Sequence, residues 1–552
     1  MAEDAADPDW LCDYLVVGAG AAGCVVAARL SENPANRVML VEAGTARRKL
    51  VNRVPATAFL ASMVEGTNWN FTSEPVPGLD GRRLVWSQGR MVGGSSSING
   101  MLWMRGCPSD YDTWRQAGCP GWSYEDVLPV FRRIESSDRG DDALHGSSGP
   151  VPIRRSGLDL PVSDLFLDAI AGAGLPLVDD VNAVVHEGFG RFDLNIRDGR
   201  RAGAAESYLD PARDRANLRV LSDAPVLRLL FEGDRVVGAA TRHGGVERRI
   251  AAAREVILCC GAVKTPQLLL LSGLGPAQEL RSAGISVQRD IHGIGRNLHN
   301  HPAFALTYAL REPISAYRYM SPLRGALAAL RYATTRGGPL AESYVALGGL
   351  FRSDPSRDGP DLMVVAFPGL VKRAEVGARL SDVIERRHGF TVQVSLARQG
   401  SRGVVRLRSS DPAAPPVIEP NYYDDPADMT AMVAGVRTIR AAFRRPEVAR
   451  HILTPLQPDV PDESPATLEA AIRTAGGTFY HPGGTCRMGQ DPAAVVDARL
   501  RFRGVAGLRI ADASVVPHPL SASMHAPSLM IGERAADFIR EDEQDPARAL
   551  AS

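Results

Sequence analysis

Lysine is almost missing from this chain. Of 63 basic residues only Lys49, Lys264 and Lys372 are lysines. The rest are arginines, a bias better explained by GC-rich coding than by a binding role. Neither sign of charge is in excess: 63 acidic residues leave a formal net charge of zero, so composition offers nothing to nucleic acid or to an anionic membrane surface. No apolar run reaches the roughly 18–20 residues that cross a bilayer. Residues 1–10 are acidic and polar, unlike a secretory signal or a transit peptide. The seven cysteines are odd in number and scattered, with no CxxC pair. That pattern argues against a disulfide framework and a zinc site, and fits reduced thiols in the cytoplasm. Repeats and low-complexity tracts are also absent. What remains is ordinary globular material, 45% hydrophobic and 23% charged, with 552 residues for two or three domains.

The stretch Asp13–Gly44 organises the rest. The apolar run Tyr14–Val17 ends at Gly18-x-Gly20-x-x-Gly23, a helical segment follows to about Leu30, and a second apolar run, Val38–Val41, ends at Glu42. Strand, glycine turn, helix, strand and acid are the parts of a dinucleotide site. Gly18 permits the tight turn, Gly20 lets backbone approach a pyrophosphate, and Gly23 lets helix pack on strand. The helix N-terminus, from Ala21, offers free N–H groups to phosphates. Glu42 stands where a carboxylate accepts hydrogen bonds from ribose hydroxyls. The unit leaves NAD and FAD both open.

A second distinctive stretch, Gly89–Asp112, places the small-residue turn Gly93–Ser97 before the apolar run Ile98–Met104. Such a turn brings backbone N–H groups close to an anion or a flat ligand. This stretch resembles the first signature of the glucose–methanol–choline (GMC) flavin oxidoreductases, at Gly89-Arg90, Gly93-Gly94, Ser95-Ser96, Asn99, Trp103, Gly106 and Asp112. Gly261–Gly275 resembles the second signature. Gly293–Pro302, Ser401–Pro412, His481–Gly489 and Gly507–Pro517 resemble further motifs of the family, so the likeness runs from Asp13 to about Ile539. It implies FAD rather than NAD. It also implies cofactor contacts at Gly18, Gly20, Ala21, Gly23, Glu42, Arg90 and Val92, at Gly94, Ser95, Asn99, Gly100 and Met101, and at Val226, Asp512, Ala513 and His525. In members that hold FAD covalently, a His precedes the Asn of the first signature. Ile98 stands there, so noncovalent FAD is expected.

The expected fold class is α/β: a Rossmann-like FAD-binding domain, discontinuous in sequence, with a second α+β substrate-binding domain. The first takes residues 11–153, 203–302 and 476–542, and the second takes 154–202 and 303–475. Leu218–Leu221, Pro225–Phe231, Val236–Arg242, Arg254–Cys260 and Leu508–Ala511 read as strands. A helix starts at Leu268–Leu271, and residues 45–85 read as an extended excursion. Leu362–Phe367, Phe390–Leu396 and Val404–Leu407 read as strands of a separate sheet. Cys259 and Cys260 read as core packing.

Chemistry gathers near the C-terminus. Alcohol oxidation by a flavin needs a hydride acceptor, which the cofactor supplies, and a base for the hydroxyl proton. The resemblance puts that base at His481, in the motif His481-Pro482-Gly483-Gly484-Thr485. A second His or an Asn usually follows nine residues after the Asp-Ala-Ser triplet. Here that position is Ser523, which can hydrogen-bond a substrate oxygen but cannot act as a base near neutral pH. His525, two residues on, either contacts the flavin or replaces the missing group; register favours the first. His525 would lie just before a helix whose first position suits Pro527, and whose positive end favours negative charge on the flavin pyrimidine edge. Two further departures are Asn300, where many members carry Asp, and Ala346–Leu350, where choline-oxidising members often carry an acid before Ala-Gly-Gly-Phe. The second makes a quaternary-ammonium substrate less favoured. The expected function is therefore oxidation of a small-molecule alcohol by hydride transfer to flavin N5 with His481 as base, and reoxidation by O2 or another acceptor. The alternative is a non-redox lyase or light-driven decarboxylase on the same fold. No metal, nucleic acid or membrane span is expected.

Overall fold

The computed structural model describes residues 8–183, 187–371 and 385–545. Residues 1–7 of the acidic N-terminal stretch and Lys372 lie outside them. The apolar runs build two seven-stranded sheets. Trp10–Val17 is the centre of the first. It runs parallel to Val38–Val41 on one side and to Val246–Leu258 on the other. Both faces of Tyr14–Val17 are buried, which is why the run is apolar without alternation. Leu218–Leu221 closes one edge of this sheet. The long strand Val246–Leu258 is shared. Its first half forms a hairpin with Arg235–His243, which in turn pairs Val226–Glu232, and its end takes Leu508–Ile510 in parallel. Helix Ala21–Leu30 packs against the C-terminal helix His525–Gln544, so the first and last helices of the chain cover the same sheet.

The second sheet runs Ile452–Gln457, Pro302–Leu310, Gly389–Leu396, Leu362–Phe367, Leu347–Phe351, Gly188–Arg191, all antiparallel. Gly477–Thr478 also pairs with Pro302-Ala303. Helix Pro426–Arg444 buries Met432, Val436, Ile439 and Phe443 against it.

Four local readings need correction. The helix near the second signature spans Gly261–Leu271 and ends, rather than starts, at Leu271. Pro266 argues for a break because it removes the N–H that would bond the Ala262 carbonyl. The Thr485 hydroxyl donates to that carbonyl instead, at 2.6 Å, and the helix continues through the proline. His525 is the first residue of its helix, not the residue before it, and Pro527 is the third. Val404–Arg406 pairs with Val417–Glu419 in a separate two-stranded ladder across the proline-rich turn, outside the second sheet. The excursion 45–85 is not featureless, since it carries the short helices Leu50–Arg53 and Ala58–Ala61.

Candidate active site

The two sheets meet around a cavity of about 1380 Å³. Its first wall is the glycine turn. Gly18 has φ +99°, and a Cβ there would stand 2.6 Å from the Cys259 carbonyl oxygen. A Cβ on Gly94 would stand 2.7 Å from Gly20 Cα, so the two glycine turns lie backbone against backbone along the cavity. That cradle suits a diphosphate, which needs N–H groups and no side chains. Gly18, Gly20, Ala21, Gly94, Ser95, Asn99, Gly100, Met101 and Val226 all line the space. Gly23 and Val92 do not. A Cβ on Gly23 would fall 1.9 Å from the Gly18 oxygen, so this glycine serves the helix–strand contact. Val92 is buried and donates its N–H to the Thr45 oxygen.

Glu42 lines the cavity with both carboxylate oxygens already anchored, accepting from Ala19 N at 2.9 Å and Gly44 N at 2.8 Å. Burial raises its pKa, against those two amides. Asp512 is the other lining carboxylate. It accepts from Gly261 N, Thr265 Oγ1 and Ser514 N, so it caps the helix Gly261–Leu271. Ala513 lines the cavity beside it. Cys260 also lines the cavity, but burial holds both Cys259 and Cys260 far above the usual thiol range, as structural thiols require.

The cations along the wall are less legible in the sequence. Both Arg90, at 4.9 Å, and Lys264, at 4.6 Å, stand over the Trp69 ring. Burial pulls Lys264 down to about 8. Arg201 is buried behind the first signature and donates to the Asn52 and Ser96 carbonyls and to Asn99 Oδ1, the last at 2.7 Å. Nothing in the local pattern marks Arg201, because its partners come from chain segments about a hundred residues earlier.

His481 lines the opposite end. It is only half-buried by surface area because the cavity opens onto it, yet it sits deep among protein atoms. Burial, and then His301, hold its pKa well below the ordinary histidine value. Its Nδ1 lies 3.1 Å from His301 Nδ1, with the rings edge to face. Phe479 packs on its other side, ring centroids 5.0 Å apart. The backbone N–H of His481 donates to Asn300 Oδ1 at 2.7 Å, and Asn300 Nδ2 donates to Thr478 Oγ1 at 2.8 Å. The Asn that departs from the usual Asp thus uses both halves of its amide. His301 was missed in the sequence because it follows the Asn-Leu-His-Asn run and carries no motif role of its own.

Ser523 and His525 line the cavity too. Ser523 Oγ and His525 Nε2 are buried with no hydrogen-bond partner among the described residues, as is Arg90 Nε. Orphaned polar atoms facing an empty space are what a polar ligand satisfies. The His525 ring sits edge-on to Trp103, whose Nε1 donates to the buried Glu135 at 2.6 Å. Burial first, and Arg201 second, pull His525 down to about 4. His518 is set apart, contributing its carbonyl to Trp114 Nε1. The residues present therefore fit a dinucleotide in the glycine cradle, with a reactive end among His481, Ser523 and His525.

Comparison with known proteins agrees with this geometry. The GMC oxidoreductase family matches residues 12–303 and 399–532. The mitochondrial choline dehydrogenase of Homo sapiens is 38% identical over 537 residues, covering 96% of this chain and 89% of its own. The alcohol dehydrogenase (acceptor) of Pseudomonas putida is 36% identical, covering 96% and 95%. The crystal structure of pyridoxine 4-oxidase from Mesorbium loti superposes with TM-score 0.86 at 32% identity, covering 96% and 99%. Two dehydrogenases and an oxidase give no support to the lyase or decarboxylase alternative. The chain belongs to the GMC oxidoreductases, and it is an FAD-dependent enzyme that oxidises CH–OH donors.

Proposed function

We propose that the enzyme oxidises an uncharged alcohol and that His481 removes the hydroxyl proton. The observation that carries this is the 3.1 Å contact between His481 Nδ1 and His301 Nδ1. Only one of two such nitrogens can donate. We assign the His301 proton to Nε2, with the Leu520 and Ala397 carbonyls favouring a protonated ring nitrogen, so that His301 Nδ1 is the acceptor. His481 then carries its proton on Nδ1, and Nε2 is the bare nitrogen toward the cavity. Its lowered pKa keeps Nε2 unprotonated near pH 7. Ser523 Oγ holds the substrate oxygen, and His525, at the positive end of its helix, faces the cofactor. FAD, when bound, supplies the hydride acceptor. It is held without a covalent bond, since Ile98 offers no nucleophile where it lines the cavity.

The substrate reading rests on charge. Among the described residues that line the cavity, only Glu42 and Asp512 are carboxylates, and both stand by the glycine turn and the helix it faces. Tyr344, Phe367 and Phe479 give the substrate end an aromatic wall, with no counter-charge for an ammonium among the described residues. We further assign the second sheet, Gly188–Arg191 with the strands from Pro302–Leu310 to Ile452–Gln457, to the substrate-binding part, with O2 or another acceptor closing the cycle. A cytoplasmic location is supported by seven free cysteines.

The test mixes holoenzyme anaerobically with primary alkyl alcohols, aryl alcohols and choline, and then adds O2, a dye or a quinone. Bleaching by uncharged alcohols and not by choline is expected. Bleaching by choline alone contradicts the substrate reading. Acid precipitation should release the FAD, and a cofactor that stays with the protein contradicts noncovalent binding.

A further inference from the structure

One helix is scarcely joined to the body of the protein. Pro322–Thr335 buries only Ala328 and Tyr332 among its 14 residues, and packs chiefly on its own flanking turns, Ala316–Met320 and Pro339–Ala341. Leu323 is 72% exposed, Leu327 56% and Leu330 61%, with Met320 just before them at 58%. The spacing of Leu323, Ala326, Leu327, Leu330 and Ala333 sets them on one stripe. Tyr332, half a turn away from Leu323, anchors the opposite side. Its hydroxyl donates to the Gly199 carbonyl at 3.0 Å, and its ring packs with Val54 and Ala341. Arg324 and Arg331, seven residues apart, lie along one edge of the stripe.

The surroundings are basic. From Pro313 to Ala341 there is no Asp or Glu, although 63 in 552 residues would give about three, while Arg318, Arg324, Arg331 and Arg336 fall inside. The segment that abuts the helix through Val54 repeats the pattern. Ala43–Val64 has no carboxylate; Lys49 and Arg53 are exposed, and Leu50 is 70% exposed. Arg48 is not free, being paired with Glu206 and Asp210. Acids stand at the borders of this surface: Asp198 is exposed in the turn beside Gly199, with Arg197 and Arg200 near it in sequence, and Glu65 and Glu312 flank the two acid-free stretches. Further along the same segment, Phe59, Ser62 and Met63 line the cavity.

We propose that this face docks on an anionic phospholipid bilayer. Leu323, Leu327 and Leu330 enter the boundary between headgroups and acyl chains, and Arg324, Arg331, Lys49 and Arg53 meet lipid phosphates. The helix lies in the surface and does not cross it; no helix among the described residues is long and apolar enough to do so. A second copy is the poorer occupant. Facing two such surfaces sets arginine rows against each other with few carboxylates to answer them. Docking here turns the Phe59–Met63 side of the cavity toward the bilayer, where lipophilic alcohols and lipophilic electron acceptors concentrate.

The experiment floats FAD-loaded enzyme with vesicles of phosphatidylcholine alone or mixed with phosphatidylglycerol. Binding to the mixed vesicles, weakened by salt and at least tenfold lower for L323S/L327S/L330S, is expected. Flavin content and dye-coupled alcohol turnover in solution should stay unchanged in that variant, which separates surface loss from misfolding. R324S/R331S should lose the preference for anionic lipid. No binding to either vesicle, or equal binding by the triple variant, overturns the proposal. So does a dimer in light scattering that the triple variant dissociates, because the face then joins two copies.

Discussion

At the scale of single residues the site is a set of histidines held neutral by burial. His301 and His525 are both pulled down to about 4, and His481 also lies well below its ordinary value. The unfolded chain therefore binds protons between pH 4 and 6.5 that the folded chain refuses. Stability is fully present above about pH 6.5 and falls as pH drops toward 4, by up to roughly 1.4 kcal/mol per pH unit for each such histidine. Thermal melts at pH 7 and pH 5 should show a clear loss at the lower pH, and a melting temperature unchanged over that window contradicts neutral burial. Asn300 offers a second check. In Asn300→Asp the buried carboxylate beside the His481 N–H favours the imidazolium form. The acid limb of the kcat/KM profile should then move to higher pH. An unmoved limb would mean that the proton is taken elsewhere.

At the scale of elements, the turns decide what the cavity can hold. Gly94→Ala drives a Cβ to 2.7 Å from Gly20 Cα, where only backbone could yield. Purified Gly94→Ala should contain little flavin, whereas Gly81→Ala, with open space around its Cβ, should stay yellow. Full flavin in Gly94→Ala would contradict the cradle. Thr485→Val should cost about 1–3 kcal/mol in denaturant unfolding, because it strands the Ala262 carbonyl that Pro266 leaves unpaired. These elements also show what sequence could tell. Asp13–Gly44 was readable in full, since glycine turn, apolar runs and acid are local signals. The helix Gly261–Leu271 was misread because its proline is rescued by a hydroxyl more than two hundred residues away. Arg201 and His301 escaped for the same reason: each acts through a partner that only the fold brings near.

At the scale of the whole molecule, the C-terminal motifs, the first signature and the second sheet are tied at Asp110. Its buried carboxylate accepts from Cys107 N, Ser521 N and Arg398 Nε, the last at 2.7 Å, and Arg398 follows the strand Gly389–Leu396. Arg398→Met leaves that carboxylate without its cation and should lower stability by roughly 3 kcal/mol. Melting of the variant within a degree of the parent would contradict a shared anchor. The family likeness spans both sheets, which is why fold, cofactor and reaction class were legible before any coordinates, while the aromatic lining from Tyr344, Phe367 and Phe479 was not. The central claim is that His481 takes the proton in this assembled cavity. Its most direct test is anaerobic flavin reduction by an uncharged primary alcohol in the holoenzyme and in His481→Ala. The account predicts retained FAD and a reduction rate lower by about 10²–10⁴-fold in the variant. A variant that binds FAD and is reduced at the parent rate would contradict it.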